Sequence, residues 1–244
     1  MALQHFLLEV LSEYGPVIAL LVQALVLSRF LNPRNRDYPL AIVFSLVLFL
    51  LTSAAYFFGK FRELLPRDGN ATVDQTFILV YSAADLFMHV LLLALMLQLI
   101  RKTLLSLGLS PRIVVPLAAI SFLVAISAYN YYGAAMNTKT LLQTRQVVSF
   151  WMVLLNLYWW TLLLRKRQLD RRVLLLSAGI GLMMTGQVIG DGIASFSERK
   201  GWMALFANLI MYGTHFACLY TWFNAFQPSY AEASQPKKLD PSLT

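Results

Sequence analysis

Seven long apolar stretches, separated by short charged loops, take up almost all of this 244-residue chain. They run over residues 14–30, 40–58, 77–100, 113–133, 146–164, 173–194 and 203–226. A helix that crosses a membrane needs about 20 mostly apolar residues in a row, so the pattern fixes lipid as the solvent. Backbone polar groups in lipid must be satisfied within the segment, and the helix does this. The expected fold is all-α: a polytopic bundle of seven transmembrane helices.

Composition agrees. Charged residues are 13% of the chain, against roughly 25% in an average soluble domain, which is too few to cover a water-facing surface. Residues 1–226 therefore read as one seven-helix transmembrane domain in contact with the lipid bilayer. Residues 227–244, with Pro228, Ser229, Ser234, Pro236 and Pro241, read as a disordered tail. The net charge of +8 does not point to nucleic acid, because the basic residues flank the spans and form no module of their own. A single cysteine, Cys218, excludes an internal disulfide and a multi-cysteine metal site. Residues 1–14 carry Glu9 and Glu13 and no basic start, so the first helix itself is expected to direct insertion. A glycosylation sequon at Asn70, Ala71 and Thr72 reads as a chance match.

Alternate loops differ in charge. Arg29, Arg34, Arg36, Arg101, Lys102, Arg112, Arg165, Lys166, Arg167, Arg171, Arg172, Lys237 and Lys238 fall on one side, 13 in all; the other side has 7. Cytoplasmic loops are the richer in Lys and Arg, which sets the N-terminus outside and the C-terminus and its tail in the cytoplasm. Asn70 and Lys139 are then outside, and Arg36, Arg167 and Lys237 inside. Tyr56, Phe57, Phe58, Tyr129, Tyr131, Tyr132 and Trp202 are expected at the outer interface. Tyr158, Trp159, Trp160, Tyr220, Trp222 and Phe223 are expected toward the inner one. Helices 1–3 and 5–7 repeat one arrangement, each with a basic inner loop bearing a lone Asp (Asp37, Asp170) and each ending in a helix with a buried His. That is consistent with a three-plus-one-plus-three plan.

Polar groups inside a span are costly and face protein or water. Depth follows from counting at about 1.5 Å per residue from the basic inner boundary. His89 and His215 both come out about 18 Å up. Asp85, Ser149, Gln187 and Tyr212 fall at roughly 22–24 Å, and Asn130, Arg145, Asp191 and Asn208 at roughly 27–30 Å. The inner half has far less, with Asn156, Gln98 and a few hydroxyls. The asymmetry suggests a polar pocket open to the outside, formed by Asp85, His89, Arg145, Gln187, Asp191, Tyr212 and His215. Ordinary hydrogen bonding between helices is the plainer explanation of the same residues.

Asp85 and His89 are four apart and share a helix face. Such a pair suits proton sensing, proton transfer or metal binding, or simply a structural hydrogen bond. Arg145 either snorkels to the headgroups, balances Asp85 or Asp191, or binds an anion. Gly186 and Gly190, with Gly179, Gly181 and Gly192, point to close packing of helix 6 rather than to a hinge.

A retinal pigment is excluded, because its Schiff base needs a lysine that the last helix lacks. Histidine-rich zinc hydrolases of the ceramidase and adiponectin-receptor type use more histidines than the three here, His5, His89 and His215. Zinc on His89, His215 and one Asp, or a haem between the two histidines, stay open as geometric alternatives, but no cofactor is expected. Tyr81, Ser82, Ala83, Ala84 and Asp85 open a helix that closes on Leu99, Ile100, Arg101 and Lys102, and the inner loops are short and Arg-rich. In these features the chain resembles multipass proteins of soil bacteria such as acidobacteria. That group has no defined activity, so the resemblance implies only a bacterial inner (plasma) membrane.

The function expected is a sensor or receptor-like protein that takes a small polar ligand from outside. It would signal to a cytoplasmic or membrane protein partner through the 165–172 loop. A small-solute or proton-coupled transporter is the alternative, and an intramembrane metal-dependent hydrolase a third.

Overall fold

A computed structural model describes residues 2–31, 38–63, 71–133, 137–165, 171–196 and 201–227. They form seven α-helices: α1 (Ala2–Phe30), α2 (Pro39–Glu63), α3 (Ala71–Ser106), α4 (Val114–Tyr131), α5 (Thr138–Leu164), α6 (Arg171–Phe196) and α7 (Gly201–Ala225). Six, α2 to α7, are long and apolar enough to cross a membrane. In α1 the apolar part, Tyr14–Phe30, is shorter, although the helix itself is 29 residues long. The protein is a multi-pass helical membrane protein, and no strand occurs among the described residues. Asn70 of the glycosylation sequon, the loop at 166–170 and the tail after Gln227 lie outside the described residues.

Six helices form a closed ring in the order α1, α2, α3, α5, α6, α7, each touching the next and α7 returning to α1. These six are the two triples of the sequence pattern. The helix between them, α4, stands outside the ring against α5 and α3. It buries only Ser121 and Ala128, small residues that allow close approach. Trp151 of α5 donates its Nε1–H to Ser121 Oγ at 2.8 Å. The remaining α4 surface, with Val115, Phe122 and Leu123 exposed, suits lipid.

Two glycines at positive φ, 69° at Gly108 and 107° at Gly133, turn the chain where α3 and α4 end. The Leu109 N–H returns to the Leu104 carbonyl at 2.9 Å across the first of these turns. Asn137 caps α5 by accepting from the Thr140 N–H at 2.8 Å, and the Thr140 hydroxyl donates to the Tyr132 carbonyl at 3.0 Å.

The ring has two unlike halves. Toward the end marked by Arg101, it is filled by apolar side chains, among them Leu99, Met152, Trp159, Leu176, Ile180 and Trp222, all fully buried. Five aromatic rings pack edge to face through this plug. Phe44 lies 5.5 Å from Trp222, Trp222 6.0 Å from Phe30, Phe30 4.4 Å from Phe226, and Phe226 5.7 Å from Tyr38. Lys102 Nζ sits 4.1 Å above the Tyr38 ring.

Trp159 and Trp222 do not lie at the lipid interface as expected; both are completely buried. Each meets a partner for its N–H inside the bundle: Thr103 Oγ1 at 2.9 Å for Trp159, the Leu176 carbonyl at 3.2 Å for Trp222. An indole whose N–H is satisfied can be buried whole. Replacing Trp159 with Phe should cost about 1 kcal/mol, one buried hydrogen bond, read as a lower unfolding midpoint in a denaturant titration. An unchanged midpoint would show that the Thr103 contact adds nothing.

Helices α6 and α7 pack closely along their length, and glycine permits it. A Cβ on Gly179 would meet the Trp222 indole and Thr221, one on Gly186 would run into Thr214, and one on Gly190 into Met211. Gly181 faces Asn156 of α5 instead, and a Cβ on Gly192 would meet nothing. The close-packing expectation therefore applies to three of the five glycines on the α7 side.

Candidate functional site

Away from the plug, the ring encloses a cavity of about 880 Å³, within the range of about 300–1,000 Å³ common for small-molecule sites. All six ring helices contribute to its wall, and α4 contributes nothing. It rises to exposed Gly59 and Lys60 at the rim and ends on Phe44, Met88 and Leu92 at the floor. Phe44 and Leu92 are also plug residues, so the floor is the top of the plug.

Six of the seven residues expected to form a site line this cavity: Asp85, His89, Arg145, Gln187, Tyr212 and His215. Asp191 is not on the wall but is bound to a residue that is. Arg145 donates from Nη1 to Asp85 Oδ2 at 2.6 Å. Its Nη2 reaches Asp191 Oδ1 at 2.7 Å and Oδ2 at 2.6 Å. One guanidinium thus holds carboxylates from α3 and α6, and it does so inside the bundle: the side chains of Arg145, Asp85 and Asp191 are 12%, 26% and 7% exposed. Arg145 does not reach outward to headgroups.

Asp85 and His89 share a face but are not the bonded pair that their spacing suggests. The His89 ring nitrogen Nδ1 donates to the Asp85 backbone carbonyl at 2.7 Å and stays 3.7 Å from its carboxylate. The carboxylate is taken by Arg145. His89 Nε2 lies 3.2 Å from Gln187 Oε1, an amide that can serve either protonation state of the ring by presenting its oxygen or its nitrogen.

His215 is not joined to His89. Its Nε2 accepts from Gln23 Nε2 at 3.5 Å, and the same Gln23 nitrogen donates to Thr52 Oγ1 at 3.2 Å. Gln23 is 2% exposed, and its Oε1 has no hydrogen-bond partner. Among the described residues no three His, Cys, Asp or Glu side chains come together as a metal would need.

Gln23, Thr52, Tyr81 and Lys60 were not among the expected site residues. Gln23 carried a signal, as the only amide in the apolar part of α1. Counted from Arg29 it falls about 9 Å up, in the inner half. That count starts too high, because Phe30 is fully buried in the plug and Arg29 covers the Phe223 ring. The bundle core extends past Arg29, and Gln23 stands level with His215.

The wall between these polar groups is apolar, with Leu48, Leu51, Met183 and Met211. Apolar lining with a few convergent polar atoms is the usual make-up of a small-molecule site. Comparison with protein-family models, with curated proteins and with solved structures finds no match for this chain.

Proposed function

We propose that this protein is a receptor-like membrane sensor that binds a small ligand in the cavity from the outer face. The carrying observation is a large, partly polar cavity inside the helix ring, closed on its other side by a plug of buried aromatic and aliphatic side chains. A transporter needs a polar way through the second half; the plug offers Trp159, Trp222, Met96 and Leu99 there, each fully buried. In this reading α1 is the seventh span. Its length of about 43 Å at helical rise and its place in the ring between α2 and α7 support that. The Lys60 face is then outside, as the distribution of Lys and Arg suggests, and the membrane is a bacterial inner membrane.

Accessibility of engineered thiols tests this without knowing the ligand. Native Cys218 is 1% exposed, so background labelling is small. Ala55→Cys and Met211→Cys, on the cavity wall, are expected to react with a membrane-impermeant thiol reagent added outside intact cells. From the Arg101 face of inverted vesicles they should not react. Met96→Cys and Met152→Cys, in the plug, should react from neither face. Wall positions that label from both faces would replace the sensor with a transporter, and labelling only in inverted vesicles would reverse the orientation.

A further inference from the structure

We infer that the ligand of this cavity is an amphipathic organic cation, an ammonium group carried on an apolar body. The inference rests on the outward-cavity reading above and names the chemical class that the cavity selects.

The first observation is charge. Two carboxylates, Asp85 and Asp191, share the single guanidinium of Arg145. Asp191 spends both oxygens on Arg145, whereas Asp85 gives it only Oδ2. Asp85 is also the most exposed of the three and the carboxylate on the cavity wall. The group therefore turns one negative charge in excess toward the cavity, through Asp85 Oδ1. The nearest His89 nitrogen, Nδ1, stands 3.7 Å from this oxygen, beyond hydrogen-bond distance, and donates to the backbone carbonyl. Lys60 stands at the exposed rim, above the interior. An excess charge in a low-dielectric wall concentrates counter-ions of the opposite sign.

The second observation is the acceptor left over below. Gln23 Oε1 is buried in the wall with no partner, and a buried acceptor without a donor is costly. A ligand that offers a hydrogen-bond donor at its far end meets that atom. Asp85 Oδ1 and Gln23 Oε1 are both acceptors, which suits a molecule that brings donors and positive charge. The third observation is size and surface. An inorganic ion would not fill about 880 Å³, and Leu48, Leu51, Met88 and Met183 need apolar surface to cover them. Tyr81 and Tyr212, on the wall at 46% and 37% exposure, add ring faces that favour an ammonium group.

The test uses the Ala55→Cys and Met211→Cys proteins in nanodiscs. They are labelled with a trimethylammonium-bearing and a sulfonate-bearing methanethiosulfonate, each rate normalised to that of a free thiol. The cationic reagent is expected to react roughly tenfold or more faster, and Asp85→Asn should remove most of the difference. Phenylpropyltrimethylammonium should protect both positions; its neutral tert-butyl isostere and the corresponding carboxylate should not. Because protection is read with Asp85 intact, it decides the matter even if Asp85→Asn does not fold. Were the excess charge already met by a proton on His89, the two reagents would react at equal normalised rates, which overturns the cationic class and leaves the cavity standing. Failure of both reagents to react overturns the cavity reading itself.

Discussion

Arg145→Met should lower the stability of the folded bundle by about 3–5 kcal/mol, the usual cost of removing one partner from a buried ion pair. The variant leaves Asp85 and Asp191 facing each other across the space their shared guanidinium filled. It also removes the one guanidinium that, among the described residues, ties α3, α5 and α6 together. The net worth of the intact group is a separate matter, since drawing three charges out of water offsets most of their attraction. The triple variant Asp85→Asn, Arg145→Met, Asp191→Asn should therefore recover most of the loss. Equilibrium unfolding in mixed micelles, run on the wild type and both variants, measures this. An Arg145→Met protein as stable as the wild type would mean that the carboxylates carry no charge to be balanced.

Gly186→Ala should cost about 2–3 kcal/mol through overpacking, far more than its one added methyl suggests. Its Cβ would enter the Thr214 side chain, whose hydroxyl is already fixed on the Ile210 carbonyl at 2.8 Å. Relief requires α6 and α7 to separate. Gly190→Ala should cost less, because it meets the flexible Met211 first. Gly192→Ala, with open space around it, should stay within about 0.5 kcal/mol of wild type. Thr214→Gly should rescue Gly186→Ala and leave Gly190→Ala as it was. Equal effects at all three glycines would show that helix propensity, not contact with α7, governs these positions.

The helical membrane architecture was legible because hydropathy alone dictates it. Polar residues in the outer half pointed toward the cavity for the same reason: a bilayer leaves such groups few places to go. Partners were not legible. Spacing along one helix paired Asp85 with His89, yet the carboxylate went to Arg145, sixty positions away. A guanidinium makes a charge-assisted, well-aligned bond to it, and no local pattern encodes which helix faces which. Depth counting failed wherever the core runs past the last basic residue. Gln23, which no depth count singled out, would fall too low for that reason. Trp159 was assigned to the interface although Thr103, beyond Arg101 in α3, accepts its N–H.

Phe44 belongs to both halves of the ring. It lines the cavity floor and packs against Trp222. From there the column of rings runs through Phe30 and Phe226 to Tyr38, under the Lys102 ammonium. Close-packed rings are stiff and transmit strain rather than absorb it. The column is thus a solid connection between the cavity floor and a positive charge at the opposite face. In the proposed sensor reading it would act as a piston rod, with no solute passing along it and a push at one end arriving at the other. Three of its five rings, Phe30, Trp222 and Phe226, come from α1 and α7 or its C-terminal edge, so the seam between those helices is where that push would emerge.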